Sequence, residues 1–337
     1  MALKRVLLTG AGGSIGVHVV SGFLEKTDWE IVALDSFHHK GYKDRLERLY
    51  QDHPEWRARV KEFQHDLTCP ISPELREQMG RIDYILHLAA LSDVFFSVQN
   101  PVWTIQNNIN STLMLLEYAR VVKPEQFIYF STDEVYGAVK KGTAHKEWET
   151  HRPSNAYSAS KAACEDICYS YWRGCGVPLI ITNTMNNFGF MQSGAKFPVI
   201  IQKKVEAGDE VEIHGNEQEI GTKFYIDSRI TAEALLHIIS LGAYPHKIGE
   251  IDDPHRYHIV GQKAYSNLEL AQTIARLMNK PLKYKLKDFH ADNPAHDIHY
   301  GLDGSKLKAT GWEPSKDLEM SLKEVIEWQQ NNPEWIQ

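Results

Sequence analysis

A tyrosine and a lysine near the middle of the chain have the spacing of a catalytic pair. Tyr157 and Lys161 are four residues apart in the run Tyr-Ser-Ala-Ser-Lys, so on a helix they share one face, one turn apart. A nearby ammonium group stabilises a phenolate and would lower the pKa of the tyrosine toward the working pH. The pair therefore predicts a general base that takes a proton from a substrate hydroxyl.

Three polar residues follow the predicted strand QFIYFST, upstream of this pair. Thr132, Asp133 and Glu134 are consecutive, and Thr132 can share the hydrogen bond of the substrate hydroxyl with Tyr157. Adjacent residues of an extended strand point to opposite faces, so both carboxylates can serve one site only if the chain turns there. The alternative interpretation is that the two acids merely begin a polar loop.

A glycine-rich turn near the N-terminus predicts a dinucleotide site. It follows a predicted strand, opens a predicted helix and has glycines at positions 10, 13 and 16. Glycine lets the backbone turn tightly and approach a pyrophosphate, while the helix N-terminus supplies amide donors. Asp35 ends the predicted strand EIVALD, nineteen residues after Gly16. A carboxylate there accepts hydrogen bonds from the adenosine ribose and repels a 2′-phosphate, so NAD is favoured over NADP.

Further strand ends complete the predicted path of the dinucleotide. Asp66 and Leu67 follow a predicted third strand, and HLAA ends a fourth. Either segment can instead be a well-packed strand end. The predicted cofactor residues are Gly10, Gly13, Ser14, Ile15, Gly16, Asp35, Asp66, Leu67, Leu88, Ala89, Ala90, Tyr157 and Lys161.

Alternating apolar and amphipathic runs define the elements that must position these residues. In chain order they are RVLLTG, GVHVVSGFLEK, EIVALD, RIDYILHLAA, STLMLLEYARVV and QFIYFST. Such alternation predicts βαβ units and hence an α/β fold with a doubly wound parallel sheet of the Rossmann type. The segment 41–59 is charged and aromatic, which is typical of a surface helix or an insertion.

Two domains are expected from the change of pattern after residue 185. The chain then becomes loop-rich, with one further strand and helix at TKFYIDSRITAEALLHII. We predict an NAD-binding Rossmann domain of residues 1–185 plus 222–260. The remaining residues, 186–221 plus 261–337, are predicted to form a smaller α/β domain that binds the substrate.

Composition excludes several classes of partner. The 337 residues have a net charge of -7 and lack the clustered Lys and Arg that nucleic acid demands. No apolar stretch approaches the roughly 20 residues of a membrane helix. The four cysteines show no CxxC spacing, which suits a reducing cytoplasm. Cys164 and Cys168 are expected to be buried fillers, because zinc would need two more close ligands. We therefore expect a cytoplasmic protein that binds no nucleic acid, membrane or metal.

The order of the motifs resembles that of a known family. TGAGGSIG, HLAA, STDEVYG, YSASK and NNFG are similar to the nucleotide-sugar branch of the extended short-chain dehydrogenases, and STDEVYG resembles the dTDP-glucose 4,6-dehydratases in particular. The similarity covers nearly the whole chain, including HDIHYGLDGSKLKATGWEP. It implies an NAD-dependent lyase that oxidises a sugar at C4, eliminates water across C5 and C6, and returns the hydride to C6. By resemblance Glu134 is the C5 base and Asp133 the C6 acid, beside Thr132, Tyr157 and Lys161.

In the segments that usually hold the substrate diphosphate, this chain differs from the family that it resembles. Members of that family usually carry arginines at three places. In this chain the three places are Asn183, residues 219–225 and residues 293–300. None of the three offers arginine. Charge-assisted contacts to phosphate are stronger than neutral ones, so other cations must replace them. The candidates are Lys196, which matches the family's lysine after NNFG, together with Lys223, Arg229 and His296. The predicted substrate residues are Ser92, Asn187, Lys196, Lys223 and His296.

Other functions are compatible with the same motifs. A nucleotide-sugar 4-epimerase, a decarboxylase or a 5,6-dehydratase would keep the cofactor and the Tyr/Lys pair but reassign the two carboxylates. A catalytically silent protein that senses a dinucleotide is an alternative of another class. The intact Thr132, Tyr157 and Lys161 argue against it.

The resemblance also implies an assembly. Extended members of the family commonly pair through two helices per subunit, and the matching segments here are 111–122 and 157–174. We therefore expect a homodimer with a four-helix contact, in keeping with the prevalence of twofold pairs.

Overall fold

A parallel sheet of seven strands forms the centre of the molecule in the computed structural model, which describes residues 3–38, 41–192, 194, 196–243, 253–288 and 297–335. The strands are β1 (Arg5–Thr9), β2 (Glu30–Asp35), β3 (Val60–Gln64), β4 (Tyr84–His87), β5 (Gln126–Thr132), β6 (Leu179–Thr184) and β10 (His255–Ile259). Their order across the sheet is β10-β6-β5-β4-β1-β2-β3, and every neighbouring pair is parallel. The predicted doubly wound Rossmann sheet is confirmed.

Helices cover both faces of this sheet. The described helices are α1 (Gly16–Lys26), α2 (Tyr42–Asp52), α3 (Pro73–Met79), α4 (Val94–Gln99), α5 (Pro101–Val122), α6 (Ala156–Cys175), α7 (Phe197–Ala207), α8 (Ser228–Leu241), α9 (Asn267–Leu277), α10 (Ser305–Ala309) and α11 (Leu318–Asn331). Short 3-10 helices span Pro54–Arg59, Asp133–Val135 and Pro333–Trp335. Successive residues of a strand point to opposite faces. Val6 and Leu8 of β1 therefore pack with α1, α2 and α8, whereas Leu7 packs with α3, α5 and α6.

The remaining strands form two small sheets beside the large one. The first contains β7 (Asn186–Phe188), β9 (Thr222–Asp227) and β11 (Ala264–Ser266), and the second pairs β8 (Glu210–His214) with β12 (Lys283–Lys287). A third apolar core lies between these strands and α7, α9 and α11. The predicted fold class, a Rossmann sheet with a smaller C-terminal α/β part, is thus confirmed.

Strand β9 connects the two parts of the molecule. It begins at the predicted boundary at residue 222, yet it pairs with β7 and β11 of the small sheet. Its Ile226 packs into the core with α8, while its Tyr225 packs into the small-sheet core. After β9 the chain returns to the large sheet through α8 and β10. The division into two domains stays a prediction.

Two further features bear on the sequence analysis. Cys164 and Cys168 are fully buried in the core between α6 and the large sheet, the packing role expected of them. Among the described helices, none combines the length and the apolar character that would be needed to cross a membrane.

Candidate active site

A cleft with a volume of about 540 Å³ opens at the carboxyl ends of the parallel strands, next to the point where β1 and β4 reverse the strand order. Ligands of doubly wound sheets bind at such switch points. Every predicted cofactor, catalytic or substrate residue within the described part of the chain lines this cleft. The remaining one, His296, lies outside the described residues. The fold thus brings together residues that are up to 213 positions apart in the sequence, from Gly10 to Lys223.

The glycine-rich turn has the geometry that its sequence predicts. Gly10 has a φ of 69°, which favours glycine, and its amide donates to the carbonyl oxygen of Leu34 at 3.1 Å. A Cβ added at Gly16 would lie 2.0 Å from the carbonyl oxygen of Gly10, so no other residue fits there. Helix α1 starts at this point without an acidic side chain in its first turn or a side-chain cap. Its first amides are therefore suited to an anionic group.

Asp35 is buried at the end of β2 and faces the cleft. One carboxylate oxygen accepts from the amide of Gly12 at 3.1 Å and the other from the amide of Phe37 at 3.0 Å. These bonds fix the carboxylate beside the glycine-rich turn, in the place where a Rossmann fold holds the adenosine ribose.

Helix α2 contributes to this end of the cleft, although its segment was predicted as a surface helix or an insertion. Tyr42 lines the cleft, and a Cβ at Gly12 would lie 2.6 Å from the Tyr42 carbonyl oxygen. Arg45 is buried and donates to the carbonyl oxygens of Gly12 at 3.0 Å and Met191 at 2.9 Å. The segment is a surface helix as expected, with Lys43, Asp44 and Glu47 exposed, but the sequence pattern does not say what its buried face packs against.

Tyr157 and Lys161 lie in the first turns of α6, one turn apart as predicted. A capping box starts this helix: the amide of Ser158 donates to the Asn155 side chain, and the Asn155 amide donates to the Ser158 hydroxyl. Both members of the pair are buried and line the cleft. The helix start therefore fixes their position relative to β5.

The electrostatics of this pair differ from the sequence prediction. Burial raises the pKa of Tyr157, and the charges of Glu134 and Asp133 raise it further. The ammonium of Lys161 donates to the carbonyl oxygen of Phe130 at 2.6 Å, and burial lowers its pKa to about 8. Lys161 is thus bound to the backbone of β5, and in the protein alone burial outweighs the lowering of the Tyr157 pKa that the spacing predicted.

The chain turns at the end of β5, as the use of both carboxylates requires. Asp133–Val135 form a 3-10 turn, and the Thr132 hydroxyl donates to Asp133 Oδ1 at 3.0 Å. Burial and the charge of Glu134 raise the pKa of Asp133 to about 7. Burial also raises the pKa of Glu134, which the hydrogen bond from Asn155 Nδ2 at 3.0 Å and the charge of Lys223 oppose. The carboxyl groups of Asp133 and Glu134 therefore have different hydrogen-bond partners and different charges beside them.

The proposed phosphate-binding cations separate into two groups. Lys196, at the start of α7, and Lys223, on β9, both line the cleft. Arg229 does not line it, because its guanidinium pairs with Asp227 at 2.5 Å and Glu324 at 2.8 Å. Arg229 is therefore no longer a candidate.

Asn183 also lies away from the cleft. It is fully buried on β6, where its Nδ2 donates to the carbonyl oxygen of Thr132 at 3.1 Å and to Glu165 Oε1 at 2.7 Å. The absence of arginine at this position therefore removes no cation from the cleft. This corrects the interpretation of Asn183 as a lost phosphate contact.

Sequence reasoning missed Asn108 of α5. Its Oδ1 accepts from the Leu91 amide at 2.8 Å, and its Nδ2 donates to the Ser160 hydroxyl at 2.9 Å. Asn108 thus ties the loop after β4 to α6 and positions the backbone next to Ser92. Three asparagines inside a largely apolar helix were the available signal. Other cleft residues that no pattern indicated are Tyr42, Gln192, His214 and Asn267.

Comparisons with known proteins agree with this geometry. The family model described as GDP-mannose 4,6 dehydratase matches residues 7–325. The chain is 30% identical to a dTDP-glucose 4,6-dehydratase of Escherichia coli over 99% of this chain and 95% of that enzyme. It is also 30% identical to a dTDP-glucose 4,6-dehydratase of Neisseria meningitidis, over 99% of this chain and 96% of that one.

Solved structures show the same fold. A dTDP-glucose 4,6-dehydratase of Streptomyces venezuelae, solved with NAD bound, is 24% identical and superposes with a TM-score of 0.84 over 98% of both chains. A UDP-glucuronic acid 4-epimerase of Bacillus cereus, solved with NAD and UDP-glucuronic acid, gives the same TM-score at 20% identity, over 98% of this chain and 100% of that one. The fold is therefore shared by dehydratases and epimerases, and the side chains of the cleft have to distinguish them.

Proposed function

Because the chain belongs to the GDP-mannose 4,6 dehydratase family, we propose that it is an NAD-dependent nucleotide-sugar 4,6-dehydratase. The observation that carries this proposal is the pair of unlike carboxyl groups beside Tyr157. Burial raises the pKa of both groups: that of Asp133 reaches about 7 with the help of the Glu134 charge, whereas Asn155 and Lys223 oppose the rise for Glu134. Elimination of water needs one acid and one base at neutral pH. A 4-epimerase needs neither group once the ketone has formed.

The glycine-rich end of the cleft fits NAD. We assign the turn Gly10–Gly16 to the diphosphate and Asp35 to the adenosine ribose, since the turn admits no Cβ at Gly16 and the carboxylate lies beside it. The other assigned cofactor residues are Asp66, Leu67, Leu88, Ala89 and Ala90, all in the cleft wall. Bound there, NAD supplies the acceptor that takes a hydride from C4 and gives it back at C6.

The first step is oxidation at C4 of the hexose. Tyr157 takes the proton of the C4 hydroxyl, and Thr132 shares the hydrogen bond of that oxygen. The C4–H bond breaks with its electron pair, which leaves as hydride, and a C4 ketone forms. Burial raises the pKa of Tyr157 in the protein alone. The ammonium of Lys161 and the positive charge of the oxidised nicotinamide oppose this rise.

The second step is elimination across C5 and C6. The ketone acidifies the C5 proton, and Glu134 removes it. Asp133 protonates the C6 hydroxyl, which leaves as water. The returning hydride adds to C6, Glu134 gives a proton to C5, and the product is a 4-keto-6-deoxy sugar that still carries its nucleoside diphosphate.

The substrate residues are proposed from their place in the cleft. Lys196 and Lys223 are the cations for the diphosphate, in place of the arginines usual in related enzymes. Ser92 and Asn187 line the same cleft and are assigned to the sugar side. His296 keeps its proposed role from the sequence alone. With this assignment, residues 1–185 plus 222–260 bind the cofactor, and residues 186–221 plus 261–337 bind the substrate.

A homodimer belongs to the proposal as well. Helix α5 buries Thr112 and Ala119 against its own subunit, yet Trp103 and Val121 on its other side are 65% and 57% exposed. Apolar residues on both sides of a helix indicate a second packing partner. The proposed location is the cytoplasm, where the four free cysteines would stay reduced.

The test is product analysis in deuterated water. Protein with NAD is incubated with dTDP-glucose, UDP-glucose and GDP-mannose, and the products are analysed by NMR and mass spectrometry. A dehydratase yields a 4-keto-6-deoxy sugar with deuterium at C5. A product with an intact C6 hydroxyl and no deuterium at C5 would reject the proposal and favour an epimerase.

A further inference from the structure

A buried ionic cluster lies directly behind the catalytic turn. Its centre is Glu165, which is fully buried on α6, four residues after Lys161. Glu165 Oε2 lies 2.7 Å from Nη2 of Arg256 and 3.1 Å from Nε2 of His151. Its Oε1 accepts from Asn183 Nδ2 at 2.7 Å. A carboxylate is thus kept charged in the interior by three side chains from three different segments.

The same cluster holds both ends of the segment that carries Asp133 and Glu134. At its start, Asn183 Nδ2 also donates to the carbonyl oxygen of Thr132 at 3.1 Å. At its end, Arg256 Nη1 donates to the hydroxyl of Tyr136 at 2.9 Å. Each of the two side chains therefore binds both Glu165 and the catalytic segment, Asn183 through the two hydrogens of Nδ2 and Arg256 through its two Nη atoms.

The cluster continues to the C-terminal part of the chain. The Tyr136 hydroxyl lies 3.0 Å from Nε2 of His258, and Nδ1 of His258 lies 3.0 Å from the carbonyl oxygen of Asp303. The Arg256 guanidinium also stacks 4.1 Å from the ring centre of Trp148. These contacts leave the side chain of Arg256 little freedom, since it is only 2% exposed.

The strand register explains why the cation comes from position 256. Strands β6 and β10 are parallel neighbours, in which Asn183 lies opposite His258 and Ile181 opposite Arg256. The two side chains that bind Glu165 from these strands are therefore one amide and one guanidinium. A buried carboxylate without a counter-cation is strongly destabilising, so Glu165 depends on the charge of Arg256.

We propose that Asn183 and Arg256, as the partners of Glu165 on neighbouring strands, act as positioning residues for Thr132, Asp133 and Glu134. The kinetic part of this inference rests on the proposed dehydratase function. The structural part does not, because it concerns the position of the catalytic turn. Neither side chain lines the cleft, so neither is expected to contact the substrate.

The cluster also acts on the Tyr157 and Lys161 pair through charge. Burial raises the pKa of Glu165, but Arg256 and His151 more than offset this, and the carboxyl stays charged. The charge of Glu165 in turn raises the pKa of Lys161 against the larger effect of burial. Without Arg256, Glu165 loses its main charged partner, its pKa rises, and the negative charge that raises the pKa of Lys161 is weakened. The pKa of Lys161 is therefore expected to fall.

The test moves the arginine from one strand to the other. Arg256→Met is expected to lower kcat on the order of 100-fold, because the turn that carries the acid and base shifts. KM for the nucleotide sugar should stay within about threefold, and the falling limb of the pH profile, where Lys161 loses its proton, should move down by about one unit. The double variant Asn183→Arg/Arg256→Met should recover most of kcat and restore the pH profile.

Arg5→Met is the matched control, since Arg5 pairs with Glu30 through Nε at 2.7 Å at the opposite end of the sheet. It is expected to lower stability without changing the pH profile. If Arg256→Met does not fold, the double variant alone tests the proposal. A folded double variant with wild-type pH behaviour supports the proposal, and one that fails like the single variant overturns it.

Crystal structures of the two variants separate this inference from the proposed function. The Thr132–Tyr136 segment should be displaced in Arg256→Met and return in the double variant, whatever substrate the enzyme uses. If the wild type converts no nucleotide hexose, the proposed function fails while this comparison still stands. An unchanged segment together with an unchanged pH profile in Arg256→Met would overturn the inference.

Discussion

Asp133 and Glu134 are neighbours in the chain whose carboxyl groups have to perform opposite proton transfers. The Thr132 hydroxyl and the buried end of β5 surround Asp133, whereas Asn155 Nδ2 binds Glu134. A group that donates a proton must be protonated at the working pH. The raised pKa of Asp133, about 7, meets that condition in the neutral range. The acid therefore becomes less effective as the pH rises above about 7.

The first prediction concerns the steps after C4 oxidation. Asp133→Asn and Glu134→Gln should still oxidise C4 but stall before the hydride returns, so reduced cofactor should accumulate and absorb near 340 nm. In the wild type, the same accumulation should grow as the pH is raised above about 7, because Asp133 loses its proton. Stopped-flow absorbance measures both effects. Full turnover by both variants, with no pH-dependent accumulation, would show that other groups carry the elimination.

Tyr157 shows where reasoning from spacing was incomplete. The spacing to Lys161 was predicted correctly, but the direction of the pKa shift was not, because Lys161 binds the Phe130 carbonyl and both groups are buried. Burial depends on the packing of α6 against β5, which four residues of sequence cannot specify. The sequence identified the pair, and the fold decides its protonation.

The second prediction tests this pair. Tyr157→Phe and Lys161→Ala should each lower the rate of C4 oxidation several hundredfold or more, roughly the range for loss of a general base, while NAD still binds. Single-turnover kinetics and NAD titration measure the two properties. Tyr118→Phe is the matched control, since the buried Tyr118 hydroxyl has no hydrogen-bond partner among the described residues. If Tyr157→Phe oxidised C4 at the rate of the wild type, Tyr157 could not be the general base.

A third prediction concerns the choice of cofactor by Asp35. The purified protein should bind NAD in clear preference to NADP, because the buried carboxylate at the end of β2 repels a 2′-phosphate. Asp35→Ser should reduce this preference by about tenfold or more, on the order of one lost charge interaction. Calorimetry with both cofactors checks it. Equal affinities in the unmodified protein would contradict the assignment.

At the scale of elements, α2 is the part of the cofactor site that the sequence did not indicate. Arg45 of this helix connects the glycine-rich turn, through Gly12, to the backbone of Met191 beside the small-sheet part. We predict that Arg45→Met weakens NAD binding about tenfold and lowers the free energy of unfolding by about 1–3 kcal/mol, since two buried carbonyls lose a charged donor. Thermal unfolding and NAD titration measure both.

Arg48 of the same helix is the matched control. Its guanidinium pairs with Asp52 at 2.9 Å and with Glu334 at 3.8 Å and lies over the ring of Trp328. None of these contacts involves the glycine-rich turn, and such ion pairs contribute little to stability. Arg48→Met should therefore leave NAD affinity unchanged. Equal losses in both variants would mean that α2 acts only through its general stability.

The elements differ in how far the sequence could predict them. Strands β1, β2, β4, β5 and β6 follow from apolar runs, because a parallel strand that is buried on both faces reads as a continuous apolar run. The edge strand β3 differs, since only Val60 of its sequence VKEFQ is buried. The partners of β9 could not be predicted. Its residues face two cores, and pairing with β7 and β11 depends on distant segments. Cleft residues such as His214, at the end of β8, and Asn267, at the start of α9, come from the small-sheet part, and spacing alone gives no signal for them.

At the scale of the whole molecule, α5 carries an apolar face that its own subunit does not cover. Trp103 and Val121 are eighteen residues apart, five helical turns, so they lie on one side, with the half-buried Met114 between them. Near the start of α5, Phe95 of α4 is 63% exposed. The face lies along the helix that the family resemblance assigns to a four-helix contact. A second copy that pairs two such faces would bury apolar surface on both subunits.

The last prediction is therefore that the protein is a homodimer whose contact passes through Trp103. Analytical ultracentrifugation at micromolar concentration should give twice the mass of one chain. Trp103→Glu should shift the equilibrium to monomer by about 100-fold or more, because a charge at the centre of an apolar contact is buried without a partner.

Met320→Glu is the control: Met320 is similarly exposed, at 53%, but lies on α11, outside the proposed contact. It should leave the mass unchanged. A wild-type protein that is strictly monomeric at this concentration would contradict the assembly, and a Trp103→Glu dimer as tight as the wild type would place the contact on another face.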